Sequence, residues 1–190
     1  NAAVMKYRVH SRELKSIQWG PWQDAQRAIR IMRSNAKSWG VDPERIGILG
    51  FSAGGHLTFM AGTHYNEKTY DRVDEVDDFS ARPDFMCPIY AAYLGDNYKD
   101  NRAELGSLVQ ITKDTPPTFM AVTLDDKFRG VQAGLMLAEF KKAGVPAESH
   151  IYSAGGHGYG IRLSNRPVST SQSEERRVGT EWRAGWVAST

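Results

Sequence analysis

Arg45-Ile46-Gly47-Ile48-Leu49, Gly50-Phe51-Ser52-Ala53-Gly54-Gly55, then His56-Leu57-Thr58-Phe59-Met60-Ala61: a short apolar run leads through Gly-x-Ser-x-Gly into a helix-like segment. Strand, sharp turn and helix in that order is the context in which a five-residue serine motif becomes a nucleophile elbow. A serine hydroxyl is a weak nucleophile and has to meet a base and a substrate at once. A tight turn between strand and helix lifts its Oγ clear of the sheet edge. Such a turn strains the serine backbone and favours glycine beside it. The amide of Ala53, opening the helix, points to where a carbonyl oxygen would gain charge. No Gly-Lys-Ser/Thr closes the loop and no Gly-x-Gly-x-x-Gly is present here, so phosphate-loop and dinucleotide readings do not compete.

The chain around this stretch has 190 residues, enough for one domain with a real core. Hydrophobic residues make up 41% and charged residues 24%, a globular balance. The net charge is only +2, and no basic stretch is interleaved with aromatics, which argues against a nucleic-acid partner. The single cysteine, Cys87, excludes an internal disulfide and lies in an apolar run as a buried structural thiol would. No apolar run reaches the length of a membrane span.

Upstream of the elbow, Ala3 to Val9 reads as a strand, and residues 10 to 20 as a polar loop. From Pro21 to about Trp39, the positions Trp22, Ala25, Ile29, Met32, Ala36 and Trp39 have helical spacing, with Gly40 as the C-terminal cap. Arg27, Arg30, Arg33 and Lys37 fall mostly on other faces and are expected to be solvated. Downstream, Tyr65 to Ala81 carries Asp71, Asp74, Glu75, Asp77 and Asp78. The central glycine and terminal glutamate of a calcium loop are missing, so a solvated loop with local caps is the better reading. Phe85 to Tyr90 and Thr118 to Thr123 read as strands, with an irregular stretch at 94 to 116 between them. Val131 to Ala143 reads as a helix stopped by Gly144 and Pro146, and Ala147 to Tyr152 as a last strand. Strands alternating with helices predict a mostly parallel α/β sheet with helices on both faces.

In a parallel sheet, functional groups gather at the carboxyl ends of the strands. Three such ends carry reactive side chains: Ser52, the pair Asp125/Asp126, and His157 in Gly155-Gly156-His157-Gly158. An aspartate pair after a strand is often only a turn or a cap. A histidine among glycines is not placed like a core histidine and suits a base. His56 is expected to pack or cap; His10, His64 and His150 are scattered, and no spacing suggests zinc.

The motifs Gly50 to His56, Pro116-Pro117-Thr118-Phe119, Asp125-Asp126, Ala143-Gly144-Val145-Pro146-Ala147-Glu148 and Gly155 to Gly158 occur in a familiar order. Over about residues 3 to 163 the chain resembles the α/β-hydrolase superfamily, and within it the bacterial esterase/lipase group that contains acetylxylan-esterase-like enzymes. The resemblance implies Ser52 as nucleophile, His157 as base, Asp126 as the acid that orients it, and the Ala53 amide as an oxyanion donor. Asp126 is preferred over Asp125 because the family acid usually lies three residues before a small apolar position, although Arg129 stands there in this chain. Asp125 is expected to cap the following segment. The implied activity is serine hydrolysis of carboxylic esters, short acyl or acetyl groups on polysaccharide, through an acyl-serine. No cofactor and no metal is called for.

The family also carries a His-Gly-Gly-Gly-type oxyanion loop on a strand upstream of the one at residues 3 to 9, and nothing like it is present. The expectation is therefore an α/β-hydrolase domain over 1–166 whose first strands are missing, with a gap between the strand at 3–9 and the strand before Ser52. Residues 167–190 read as a polar tail without periodicity, apart from Trp182 and Trp186 at helical spacing. Ser173 to Gly179 resembles translated sequencing-adaptor sequence, so the tail need not be native. Such a fragment could be inactive by itself. A prolyl-oligopeptidase-type peptidase uses the same elbow, and a catalytically silent binding module could retain it. The resemblance implies a periplasmic or extracellular location as one option, with the signal region not in the chain, and localisation is left open. Oligomeric state is left open.

Overall fold

The computed structural model describes residues 1–9, 19–96, 103–160, 168 and 185–189. The elements run β1 (Ala2–Met5), α1 (Trp19–Ser34), α2 (Ala36–Trp39), β2 (Ile46–Phe51), α3 (Ala53–Thr63), a 3-10 turn (Glu75–Asp78), β3 (Phe85–Ile89), β4 (Thr118–Thr123), α4 (Arg129–Ala143), β5 (Ala147–Tyr152) and β6 (Gly185–Ser189). The strands form one sheet in the order β1-β6-β2-β3-β4-β5, and every pairing is parallel. All carboxyl ends therefore open on one edge.

β3 and β4 are buried at every position, so both faces of the sheet centre are covered, as parallel sheets require. Ile46, Ile48, Met86, Ile89, Met120 and Phe140 anchor the core at 1% exposure or less. Removing each such side chain from water contributes about 1.5–3 kcal/mol. α3 is apolar almost all round and buried from Gly54 to Gly62, the pattern of a helix enclosed in a core. Its close seat needs glycine: a Cβ at Gly55 would lie 2.9 Å from Ala91 Cα and 2.9 Å from Ile89 O. Cys87 is buried, as expected.

The helix predicted from Pro21 to Trp39 is divided at Asn35 into α1 and α2. Trp22, Ala25, Ile29, Met32 and Ala36 face the core, whereas Trp39 is largely exposed. Gly40 closes α2 and Gly144 closes α4 with φ of 63° and 72°, left-handed caps that glycine adopts freely.

The arginines of α1 are not solvated. Arg27 grips Asp74 at 2.7 Å and Asp77 at 2.9 Å, Arg30 donates to the Tyr70 hydroxyl at 2.6 Å, and Arg33 reaches Asp84 at 2.9 Å. The acidic loop 65–84 lies across this helix, so its carboxylates meet guanidinium groups instead of water. Asp74 also caps the 3-10 turn through the Val76 amide. Burial pushes the Asp77 carboxyl up, but Tyr70, the Val73 amide and Arg27 outweigh it and hold it well below the usual range. Among the described residues, no group of three or more His, Cys, Asp or Glu is arranged to hold a metal ion. Among those residues no helix is long and apolar enough to cross a membrane.

The gap expected between β1 and β2 is filled by β6. Its Trp186 pairs with Ala2 and Gly47, and its Val187 with Ala3 and Ile48. Two parallel neighbours would otherwise leave backbone donors and acceptors unpaired, and a Trp-Val-Ala segment suits a strand. The tail thus contributes a strand, not the helix that Trp182 and Trp186 hinted at. Trp182, the adaptor-like segment and His10 lie outside the described residues.

Candidate active site

Four strand ends supply the site. Ser52 follows β2, Tyr90 follows β3, Asp125 and Asp126 follow β4, and His157 lies in the loop after β5. The parallel register brings together groups far apart in sequence.

Ser52 has φ 56° and ψ −114°, a strained conformation for a residue with a Cβ. Its backbone is tied on three sides: its amide donates to Ile89 O at 3.0 Å, and its carbonyl accepts from His56 at 3.0 Å and Ala92 at 3.1 Å. This network holds the turn and raises the hydroxyl. Ala53 is the first residue of α3, so its amide belongs to the donors that a helix leaves unpaired at its start.

Ser52 Oγ lies 2.6 Å from His157 Nε2, and His157 Nδ1 lies 2.6 Å from Asp126 Oδ2. A carboxylate can only accept, so Nδ1 carries the proton and Nε2 faces the serine as acceptor. The Asp126 side chain is 3% exposed, while that of His157 is 35% exposed. The carboxylate is thus enclosed and the imidazole borders solvent. The structure brings Ser52, His157 and Asp126 into one hydrogen-bonded chain.

Asp125 does not cap the following segment. Its carboxylate accepts from the amides of Gly155 at 3.1 Å and Gly156 at 2.9 Å. These bonds, the Gly156 amide first, then Thr123 and Gly155, hold the Asp125 carboxyl below its ordinary range. Thr123 Oγ1 adds a bond to Gly156 O at 2.9 Å. The end of β4 thereby fastens the loop that carries His157.

Tyr90 fastens the same loop from the other side. Its hydroxyl accepts from the Gly160 amide at 3.1 Å, and its ring stands edge-on to His157 at 5.0 Å and to Tyr159 at 4.6 Å. Its φ of 34° is unusual for an aromatic residue. Sequence reasoning missed Tyr90, whose only signal was its place at the end of a strand. It also missed Arg129, which donates to Asp126 Oδ1 at 2.5 Å. The one sign of Arg129 was its break with the expected small apolar residue. His56 is buried, with its ring 6.1 Å from Tyr93, as a packing residue would be.

The family model BD-FAE matches residues 2–87. The crystal structure of an acetyl ester-xyloside bifunctional hydrolase from Caldicellulosiruptor lactoaceticus superposes with a TM-score of 0.75 at 32% identity, over 92% of this chain and 69% of that one. Among curated proteins, endo-1,4-beta-xylanase B of Butyrivibrio fibrisolvens is 28% identical over 174 residues, 83% of this chain and 27% of that protein. An acetylxylan esterase of Xylanibacter ruminicola is 27% identical over 165 residues, 74% of this chain and 31% of that protein. The chain thus spans about a quarter to a third of the length of these curated relatives. Fold and likeness together define an α/β hydrolase, and within that superfamily the chain belongs to the BD-FAE family; the proteins it is similar to are named an acetyl ester-xyloside hydrolase and an acetylxylan esterase.

Proposed function

We propose that the chain is the catalytic part of a serine esterase that removes short acyl groups, acetyl above all, from hydroxyls of plant-type polysaccharide. The observation that carries this reading is the continuous relay from Ser52 through His157 to buried Asp126, with both contacts at 2.6 Å. Such a relay needs no cofactor. His157 Nε2 takes the Ser52 proton as Oγ attacks the ester carbonyl. Asp126 holds the tautomer and stabilises the imidazolium that forms. The Ala53 amide donates to the oxyanion, a kind of contact typically worth about a hundred- to thousandfold in kcat. His157 then returns its proton to the leaving alcohol and activates water against the acyl-serine. The exposure of His157 leaves the water a way in.

The acetyl and carbohydrate part of the proposal is supported by what the similar proteins are called: an acetyl ester-xyloside hydrolase and an acetylxylan esterase. Incubation with acetylated xylan, p-nitrophenyl acetate and a peptide anilide tests it. Acetate release and p-nitrophenyl acetate turnover without anilide cleavage is the expected result. Anilide cleavage without ester turnover would overturn it.

A further inference from the structure

The strongest unused feature beside the relay is a buried cation. Arg129 is the first residue of α4, three residues after Asp126. Its side chain is 9% exposed and that of Asp126 is 3%, so the two form an ion pair away from bulk water. The turn between them is closed twice. The Arg129 amide donates to Asp126 O at 3.0 Å, and its guanidinium donates to Asp126 Oδ1. Lys127 makes that turn with φ 48°. Behind it, α4 is seated tightly on the end of β4: a Cβ at Gly130 would lie 2.8 Å from Leu124 Cα and 3.0 Å from Thr123 O. Arg129 is therefore placed by backbone packing.

A carboxylate rotates easily about its last torsion, which has a broad, two-fold profile. Which oxygen faces which partner is set by what each one bonds. Here Oδ1 is held by Arg129 and Oδ2 faces His157 Nδ1 at 2.6 Å. Asp125, its neighbour in sequence, is engaged with the Gly155 and Gly156 amides.

We propose that Arg129 is a positioning residue of the relay: its guanidinium fixes the rotation of the Asp126 carboxylate and so aims Oδ2 at the imidazole. This inference rests on the reading of Ser52, His157 and Asp126 as an ester-hydrolysing relay. Arg129 bonds the Asp126 carboxylate and acts on the relay through it. Loss of the guanidinium lets the carboxylate turn and His157 drift. The effect falls on kcat and leaves KM in place.

The test compares the parent chain with Arg129→Met and Arg129→Lys, using p-nitrophenyl acetate. The active fraction of each is counted by fluorophosphonate labelling, so that kcat is given per labelled site. Misplacement of the base on the scale of an ångström predicts a loss of about a hundredfold in kcat for Arg129→Met, with KM little changed. Lysine brings a charge without the planar fork, so Arg129→Lys should fall between, about tenfold below the parent. The downfield proton resonance of His157 Nδ1–H should move in Arg129→Met. A purely structural role would lower the labelled fraction and leave kcat per labelled site and the resonance where they are. If Arg129→Met does not fold, Arg129→Lys carries the test. Parental kcat per labelled site in either folded variant would overturn the proposal. Failure of the esterase reading shows separately, as a parent that is not labelled at Ser52, and the imidazole resonance then still reports whether Arg129 orients the pair.

Discussion

Asp125 holds Gly156 by an amide-to-carboxylate bond of 2.9 Å, so the aspartate beside the proposed acid anchors the loop in which His157 stands. Two adjacent carboxylates thus act on one histidine, Asp126 through its ring and Asp125 through its backbone neighbours. Their variants should differ in kind. Asp126→Asn favours the wrong tautomer and is expected to lower kcat on the order of ten-thousandfold, the size seen in a trypsin-type enzyme. Asp125→Ala loosens the loop and should lower kcat by up to about a hundredfold. Matched kcat measurements check the order; the reverse order would move the acid to Asp125.

The anchor also has a pH signature. The Asp125 carboxyl is held below its unfolded value by the Gly156 and Gly155 amides and Thr123. The folded state therefore binds fewer protons than the unfolded state in the window between the two values. The stabilisation is present above about pH 4 and is lost as pH falls through the folded value. Urea midpoints of Asp125→Asn and the parent should converge at low pH and separate above it.

His64 gives a pH dependence of the same sign from a different cause. Burial pushes its imidazole below the ordinary histidine range, with Glu67 pulling weakly the other way. Below about pH 6.5 the unfolded chain takes up a proton that the folded chain resists. Stability should therefore drop as pH falls from that point towards the folded value. His64→Gln should lose less stability than the parent between pH 7.5 and 5.5, as read from urea midpoints. Equal losses would show that His64 is not the group responsible.

The Tyr90 hydroxyl accepts from the Gly160 amide. Tyr90→Phe keeps the ring against His157 and removes that bond, so it should cost about 1 kcal/mol of stability. Gly55→Ala puts a methyl into backbone atoms of Ile89 and Ala91, and overpacking of that kind costs about 1–3 kcal/mol. Thermal melts of the two variants should rank Gly55→Ala as the more damaging.

What the sequence disclosed was whatever is decided locally. The turn around Ser52 and the caps at Gly40 and Gly144 depend on residues within a few positions, and they stand where they were expected. The strands at β3, β4 and β5 were legible for the same reason. What it hid was decided at a distance. Arg27, Arg30 and Arg33 looked solvated because their partners lie 40 to 51 residues away on a loop whose path no local pattern encodes. Asp125 looked like a cap because Gly155 and Gly156 lie 30 and 31 residues downstream. β6 was invisible because its place is set by the two strands that flank it. Arg129 was visible only as a mismatch, since an arginine's burial depends on the carboxylate it meets.

The central claim is that Ser52 is an activated nucleophile. Mass mapping of the site labelled by a fluorophosphonate, in the parent and in Ser52→Ala and His157→Ala, tests it most directly. The expected result is one adduct on Ser52 in the parent, none in Ser52→Ala, and strongly slowed labelling in His157→Ala, with ester turnover lost in the same order. A folded parent that stays unlabelled, or a Ser52→Ala chain that labels and hydrolyses ester at the parental rate, would contradict it.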